Sequence, residues 1–344
     1  MKTAYIAGGT GFIGHHLARR LKSEGYWVRV VDIEPYKYGV NDFADEIVIA
    51  DLRDRDWANA TMRLDDTYAF KHYPTPFAKE LHFDEVYNLA CLMGGMGFIG
   101  NPDYSYDVMV GSTEMTLNVL QSAIAHKAKK IFYSSSACVY NENLQKTYRP
   151  GYYYGTPEDY SGLREKDAYP SMPDLVYGWQ KLFSEQLHQA SKDLIDIRIA
   201  RFHNIYGPEG TYKGGKEKAP AAMCRKVVEA SDFVEVWGTG NQTRSFLYID
   251  DCIDAVRLLM KSDFKDPINI GSEEMISING LAEMAIGISG KRLVINNIKG
   301  PVGVMGRNSN NDLIREKLNW NPKFSLREGM ERTFSWINQQ VNGI

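Results

Sequence analysis

Thr3-Ala4-Tyr5-Ile6-Ala7-Gly8-Gly9-Thr10-Gly11-Phe12-Ile13-Gly14 opens the chain, and its reading decides the fold. A short run of strand character passes directly into Gly8, Gly11 and Gly14 at G-x-x-G-x-x-G spacing. A helical pattern from His15 to Ser23 follows. Small residues there permit a tight turn, close approach of a pyrophosphate to backbone N–H groups, and tight helix–sheet packing. Gly8, Gly11, Phe12, Ile13 and Gly14 are therefore read as cofactor-binding. Glycine turns after strands are common, so the next strand settles the use of this one. Trp27-Val28-Arg29-Val30-Val31 ends at Asp32, whose carboxylate can accept hydrogen bonds from adenosine ribose hydroxyls and would repel a 2′-phosphate. The cofactor expected from these residues is NAD rather than NADP.

Further strands follow at Glu46–Ala50, Glu85–Ala90, Lys130–Tyr133 and Ile195–Arg201, with a helix at Thr113–His126 and another carrying Tyr177. Strands alternating with helices, without an internal repeat, specify an α/β doubly wound parallel sheet of the Rossmann type. Asp51 and Leu52, at the end of the third strand, are placed at the adenine, with a helix cap as the other reading of Asp51. Beyond Arg201 the chain becomes turn-rich, then rejoins the sheet through Phe246–Asp251 and a short strand at Pro267–Gly271. The expected division is a cofactor domain, 1–202 with 247–275, and a smaller interleaved C-terminal substrate domain, 203–246 with 276–344. Thr61 to Leu81 reads as an irregular surface insertion, and Asn141 to Gly162 as a tyrosine-rich loop near the cleft rim.

The strand at Lys130 runs into Ser134-Ser135-Ser136-Ala137-Cys138-Val139-Tyr140, at the carboxyl end where open parallel sheets hold ligands. Downstream, Tyr177 and Lys181 stand four apart on one helix face. A nearby ammonium favours a phenolate, so the pair is expected to act as a base whose Tyr177 value lies below the ordinary phenol, with Ser136 holding a substrate hydroxyl in line. After the dense glycines of Cys91–Phe98, read as a close backbone approach to ligand, come Lys213-Gly214-Gly215-Lys216-Glu217-Lys218 and the cations Arg225, Lys226, Arg244 and Arg307. Together these could hold a nucleotide diphosphate, although each taken singly also reads as surface.

Composition narrows the function classes. In 344 residues, 44% are hydrophobic and 24% charged, as in an ordinary soluble enzyme, and the net charge of -3 argues against a nucleic-acid partner. The four cysteines show neither Cys-x-x-Cys spacing nor staggered histidines, so no metal and no disulfide framework is expected. No apolar run reaches a membrane span, and the first strand begins almost at Met1, leaving no room for a signal peptide; a cytoplasmic setting is expected.

With these residues in hand, the chain resembles the extended short-chain dehydrogenases/reductases, the NAD-dependent sugar epimerases and dehydratases, and within them the GDP-mannose 3,5-epimerase family. The likeness covers nearly the whole length. It is strongest in Met93–Ile99, Ser135–Cys138, Arg201–Pro208, Lys213–Gly215, Glu217–Ala222, Gln242–Phe246 and Gly306–Ser309. The resemblance implies a GDP-mannose-type nucleotide sugar as substrate and a homodimer. It implies Tyr177 as redox base, Lys181 as its partner, Ser136 as the hydroxyl-positioning residue, and Cys138 with Lys218 as an acid/base pair. It further implies substrate contacts from Gly95, Ser136, Ala137, Cys138, Asn204, Glu217, Lys218, Ala219, Lys226, Gln242, Thr243, Arg244 and Arg307.

Cys91-Leu92 departs from the more polar pair expected before Met93, and the segments around Thr61–Leu81 and Leu144–Tyr160 look longer than the family's. A 4,6-dehydratase would carry Asp-Glu where Ala137-Cys138 stand. A GDP-fucose synthase would favour NADPH, which Asp32 opposes, and a histidine in place of Lys218. A simple 4-epimerase needs no acid/base pair, and a non-catalytic NAD sensor would tolerate loss of Tyr177, Lys181 or Cys138.

Overall fold

The structure, a computed structural model, describes residues 1–64, 81–145 and 162–343. Its strands are β1 (Thr3–Ala7), β2 (Trp27–Asp32), β3 (Glu46–Ile49), β4 (Glu85–Asn88), β5 (Lys130–Ser136), β6 (Asp196–Phe202), β7 (Ile205–Tyr206), β8 (Phe233–Trp237), β9 (Thr243–Ser245), β10 (Leu247–Tyr248), β11 (Ile268–Ile270), β12 (Met275–Ser277), β13 (Val294–Ile298) and β14 (Gly306–Arg307). Seven of them form one sheet in the order β11-β6-β5-β4-β1-β2-β3, with every neighbouring pair parallel. The order reverses between β1 and β4, which creates a crevice at the carboxyl ends of these two strands.

Strands buried on both faces explain the near-continuous apolar runs of the sequence. Ala4, Ile6, Val28 and Val30 point to one face, where the helices Phe12–Ser23 and Ile249–Lys261 pack. Tyr5, Ala7, Val31 and Val86 point to the other, against Arg55–Met62 and Ser112–Ala125. The first of these cores is continuous with the C-terminal helices Ala219–Glu229, Ile278–Ser289 and Leu326–Asn342. Three small sheets, β7 with β10, β8 with β13, and β9 between β12 and β14, complete that part. No helix among the described residues is long and apolar enough to cross a membrane.

The start of the expected insertion after Thr61 is a correction. Thr61 and Met62 end the helix Arg55–Met62, and Thr61 is buried with its hydroxyl 3.0 Å from the Tyr5 hydroxyl. Residues 65–80, like 146–161 of the tyrosine-rich loop, lie outside the described residues.

One buried ion pair anchors the helix Val176–Ala190 to the sheet. Arg201 at the end of β6 donates from Nε and Nη2 to the two oxygens of Glu185, at 2.9 and 2.8 Å, and both side chains are almost wholly buried. Ser135 of β5 donates to the same carboxylate. Removing one partner would leave the other charge buried alone. Arg201→Met is therefore expected to destabilise the fold by about 3–5 kcal/mol, read as a lower urea midpoint, whereas replacing Arg201 and Glu185 together by apolar residues of similar volume should cost far less.

Candidate active site

A cleft of about 850 Å³ opens over the crevice between β1 and β4 and continues beneath the C-terminal part. Its floor is the glycine turn. Gly8 has φ +75°, and a Cβ there would meet Ala90 N at 2.9 Å; one on Gly14 would meet Gly8 O at 2.2 Å. These approaches require glycine and bring the turn against the exit of β4. Gly11 caps the helix Phe12–Ser23 with no side-chain hydrogen bond and no acidic residue in the first turn, so its backbone N–H groups remain available to a phosphate. Asp32 is held by the Thr10 N–H at 3.1 Å and the Ile33 N–H at 2.8 Å at the rim. Gly8, Gly11, Phe12, Ile13, Gly14, Asp32, Asp51 and Leu52 all line this half, a donor set that fits a dinucleotide without a 2′-phosphate. Asp51 forms an ion pair with Arg53, which holds its carboxyl below the ordinary value, and it caps no helix; Asp54 caps Arg55–Met62.

Ser136, Tyr177 and Lys181 line the same cleft. The Lys181 ammonium donates to Ser134 O at 2.7 Å and stands 5.0 Å from the Tyr133 ring centroid and 5.7 Å from that of Tyr177. Burial opposes the Lys181 charge, yet the Cys91 thiol and the Tyr133 and Tyr177 phenols around it carry its value above that of an ordinary lysine. Tyr177 corrects the sequence expectation. Burial raises its phenol above the ordinary value, and the lowering by Lys181 is present but smaller, because the ring is nearly sealed from water while the ammonium is partly committed to Ser134. Proton release from Tyr177 therefore requires more positive charge than Lys181 alone.

Cys138 sits in the turn Ala137–Val139 that follows β5, where Ser136 Oγ accepts from the Cys138 N–H at 3.2 Å. Its sulfur accepts a hydrogen bond from Arg307 Nη1 at 3.0 Å. Lys218 is the residue before the helix Ala219–Glu229, and among the described residues its ammonium makes no hydrogen bond or ion pair. Burial holds it below the ordinary lysine value, with the Cys138 and Cys91 thiols pulling the other way.

The other expected contacts fall into three groups. Gly95, Ala137, Asn204, Glu217, Ala219, Lys226, Gln242, Arg244 and Arg307 line the cleft. Several are held by their own backbone partners: Asn204 Nδ2 donates to Ser245 O, Lys226 Nζ to Glu235 O, and Gln242 Nε2 to Trp237 O. Thr243 does not line the cleft; it is buried in β9, with its N–H on Met305 O. Arg225 turns away to Glu217 and Glu229. Gly94, Gly95 and Gly97, after β4, line the cleft and also allow a close approach between loops. A Cβ on Gly95 would meet Glu217 O at 2.2 Å, and one on Gly94 would meet Lys216 Cα at 3.3 Å, so they let this loop pack on the loop that carries Lys218. Cys91, which departs from the family pattern, lines the cleft, and Asp174 and Gln145, which belong to no motif, reach the site through Arg307.

The family model described as NAD dependent epimerase/dehydratase family matches residues 4–271. The GDP-mannose 3,5-epimerase of Arabidopsis thaliana is 43% identical over 339 residues, 98% of this chain and 82% of the relative. The GDP-mannose 3,5-epimerase 1 of Oryza sativa subsp. indica is 42% identical over the same shares. In fold, the chain is similar to UDP-glucose 4-epimerase with UDP-glucose from Thermotoga maritima, with a TM-score of 0.78 at 22% identity over 98% of this chain and 99% of that one. It is also similar to the Thermus thermophilus UDP-glucose 4-epimerase in complex with NAD, with a TM-score of 0.75 at 19% identity over 97% and 98%. The chain thus belongs to the NAD dependent epimerase/dehydratase family and stands within it beside the GDP-mannose 3,5-epimerases.

Proposed function

We propose that this protein is an NAD-dependent epimerase that inverts C3 and C5 of GDP-D-mannose to give GDP-L-galactose, or GDP-L-gulose where C5 alone inverts. One observation carries the reading. A thiol, Cys138, and an amine held below its ordinary value, Lys218, share a cleft with the Tyr177–Lys181 pair, and a simple 4-epimerase has no use for the first two. The identity of 42 to 43% with enzymes named for this reaction supports it.

NAD, bound along Gly8–Gly14 and Asp32, supplies the acceptor for a hydride from C4 of the hexose and the same hydride for its return. Tyr177, as the phenolate that the positive charge of bound NAD would favour beside Lys181, takes the proton of the C4 hydroxyl, which Ser136 holds, and gives it back at the end. While C4 is a ketone, the hydrogens on C3 and C5 are acidic. Cys138 and Lys218, placed on opposite faces of the ring, remove and return them, each through an enolate whose C–H bond breaks on one face and re-forms on the other. Arg244 and Lys226 meet the diphosphate, while Arg307, whose three nitrogens are taken by Gln145, Asp174 and Cys138, stays at the thiol. In this reading residues 1–202 with 247–275 hold NAD, and 203–246 with 276–344 hold the nucleotide sugar.

The protein works as a homodimer in a reducing, cytoplasmic setting. Its four cysteines are free. Val176, Trp179 and Phe183 stand exposed on the outer face of the Val176–Ala190 helix, while Tyr177, Lys181 and Glu185 face inward. An apolar stripe of this kind on a surface helix marks an association surface. Light scattering should give twice the chain mass, and Trp179→Glu with Phe183→Glu should give a monomer that still folds by circular dichroism.

Incubation with GDP-mannose in heavy water should place deuterium at both C3 and C5 of the recovered sugar. No uptake at either carbon removes the 3,5-epimerase reading, and uptake at C5 alone restricts the product to GDP-gulose. Cys138→Ser should bind NAD normally yet lose exchange; exchange at the wild-type rate would clear Cys138. The direction of the Lys218 shift also fixes a pH limb. Lys218 must be an ammonium to return a proton, and that form is lost as pH rises through its lowered value. The alkaline fall in exchange should therefore begin below the ordinary lysine range of about 10.4.

A further inference from the structure

We propose that Asp174 and Gln145 are positioning residues that hold the Arg307 guanidinium on the Cys138 sulfur, keeping a hydrogen-bond donor in place for the thiolate that forms when Cys138 gives up its proton. The proposal rests on the acid/base role given to Cys138 above. Arg307 lies at the end of β14 and is only 6% exposed. Each of its nitrogens has one partner: Nε donates to Gln145 Oε1 at 2.5 Å, Nη2 to Asp174 Oδ2 at 3.0 Å, and Nη1 to Cys138 Sγ at 3.0 Å. Gln145 and Asp174 thus take two corners of the planar fork, and the third is aimed at sulfur with no rotational freedom left.

The two supports are themselves fixed. Gln145 Nε2 donates to Tyr140 O at 3.1 Å and to Asn141 O at 3.3 Å, which leaves its amide oxygen facing Arg307. The Met305 N–H donates to Gln145 O at 3.0 Å, tying this turn to the approach of β14. Asp174 immediately precedes the Tyr177 helix, and its side chain is 10% exposed. Its Oδ1 is buried without a hydrogen-bond partner among the described residues, so the ion pair with Arg307 is what compensates this carboxylate for leaving water. Burial disfavours the Arg307 charge, but Cys138 and Asp174 together more than offset it and hold the guanidinium above its ordinary value.

When Cys138 delivers its proton to the enolate carbon, the S–H bond breaks, a C–H bond forms, and the negative charge passes to sulfur. A donor already in contact at 3.0 Å stabilises that charge without reorganisation. Two roles for Asp174 predict opposite signs. As a mere neighbouring anion it would oppose the thiolate, and its removal would make Cys138 more reactive. As the anchor of Arg307 it supports the thiolate, and its removal should make Cys138 less reactive.

The rate of Cys138 alkylation by iodoacetamide, read by peptide mass mapping near neutral pH on the full-length protein, separates them. Asp174→Ala should alkylate Cys138 roughly tenfold more slowly than wild type, the scale of one charge-assisted hydrogen bond. Asp174→Asn, which keeps an acceptor for Nη2, should recover most of that rate, and Gln145→Leu should fall with Asp174→Ala. An unchanged or faster rate in Asp174→Ala overturns the proposal, as does failure of Asp174→Asn to rescue. Should Asp174→Ala not fold by circular dichroism, Arg307→Lys decides instead: it keeps the charge but loses the fork, and a wild-type alkylation rate there overturns the proposal. The assay needs no turnover. Absence of label at C3 and C5 in the wild type would sink the epimerase reading while leaving this alkylation order as a separate result.

Discussion

The hydrogen bond from the Lys181 ammonium to Ser134 O, 2.7 Å long and sealed from water, is the contact on which the rest of the site depends. It fastens the inner face of the Val176–Ala190 helix to the end of β5. Gly178 makes the approach possible, since a Cβ there would meet Cys138 O at 2.2 Å. Only a glycine lets the helix backbone lie on the Ala137–Val139 turn. Tyr177 and Cys138 consequently share one small apolar cluster with Phe98 and Val108, and Ser136 stands at its edge. The Arg201–Glu185 pair, with Ser135 on the same carboxylate, secures the helix a turn further along.

Electrostatics in the cleft run against the simplest expectation for a tyrosine beside a lysine. A low-dielectric pocket penalises every lone charge, so burial raises the Tyr177 phenol, while the groups around Lys181 carry its value up against the same burial. At Lys218 the Cys138 and Cys91 thiols pull the same way, but burial outweighs them. Lys218 stands at the start of the Ala219–Glu229 helix, where the dipole also disfavours an ammonium, and its shift is downward. Two lysines in one cleft are thus set apart by their surroundings: the value of Lys181 is shifted up and that of Lys218 down.

The loops that bring Lys218 into the cleft depend on close packing. Gly94 and Gly95, after β4, touch the backbone at Lys216 and Glu217, so the sheet's crevice and the C-terminal part meet through bare main chain. Glu217 then ties that loop to itself, accepting from the Gly215 N–H at 2.7 Å and from Arg225. This explains why a stretch so rich in glycine is packed in place without acting as a linker. Its small residues serve a protein–protein contact inside one chain.

The sequence by itself determined the doubly wound sheet, the glycine turn with Asp32, and the Ser136, Tyr177, Lys181 constellation, because these rest on local periodicity and on spacings of a few residues. Cys138, two positions beyond Ser136, was read through the family resemblance that its motif carries. Thr243 shows the limit: it sits within a legible run, yet strand alternation turns it from the cleft while Gln242 and Arg244 line it. Only the tertiary structure decided the direction of the Tyr177 shift, since burial is a property of what packs around a ring and no spacing records it. It also decided the assembly of Gln145, Asp174 and Arg307 on one sulfur, because three segments distant in sequence converge there through pairings that leave no periodic trace in the chain.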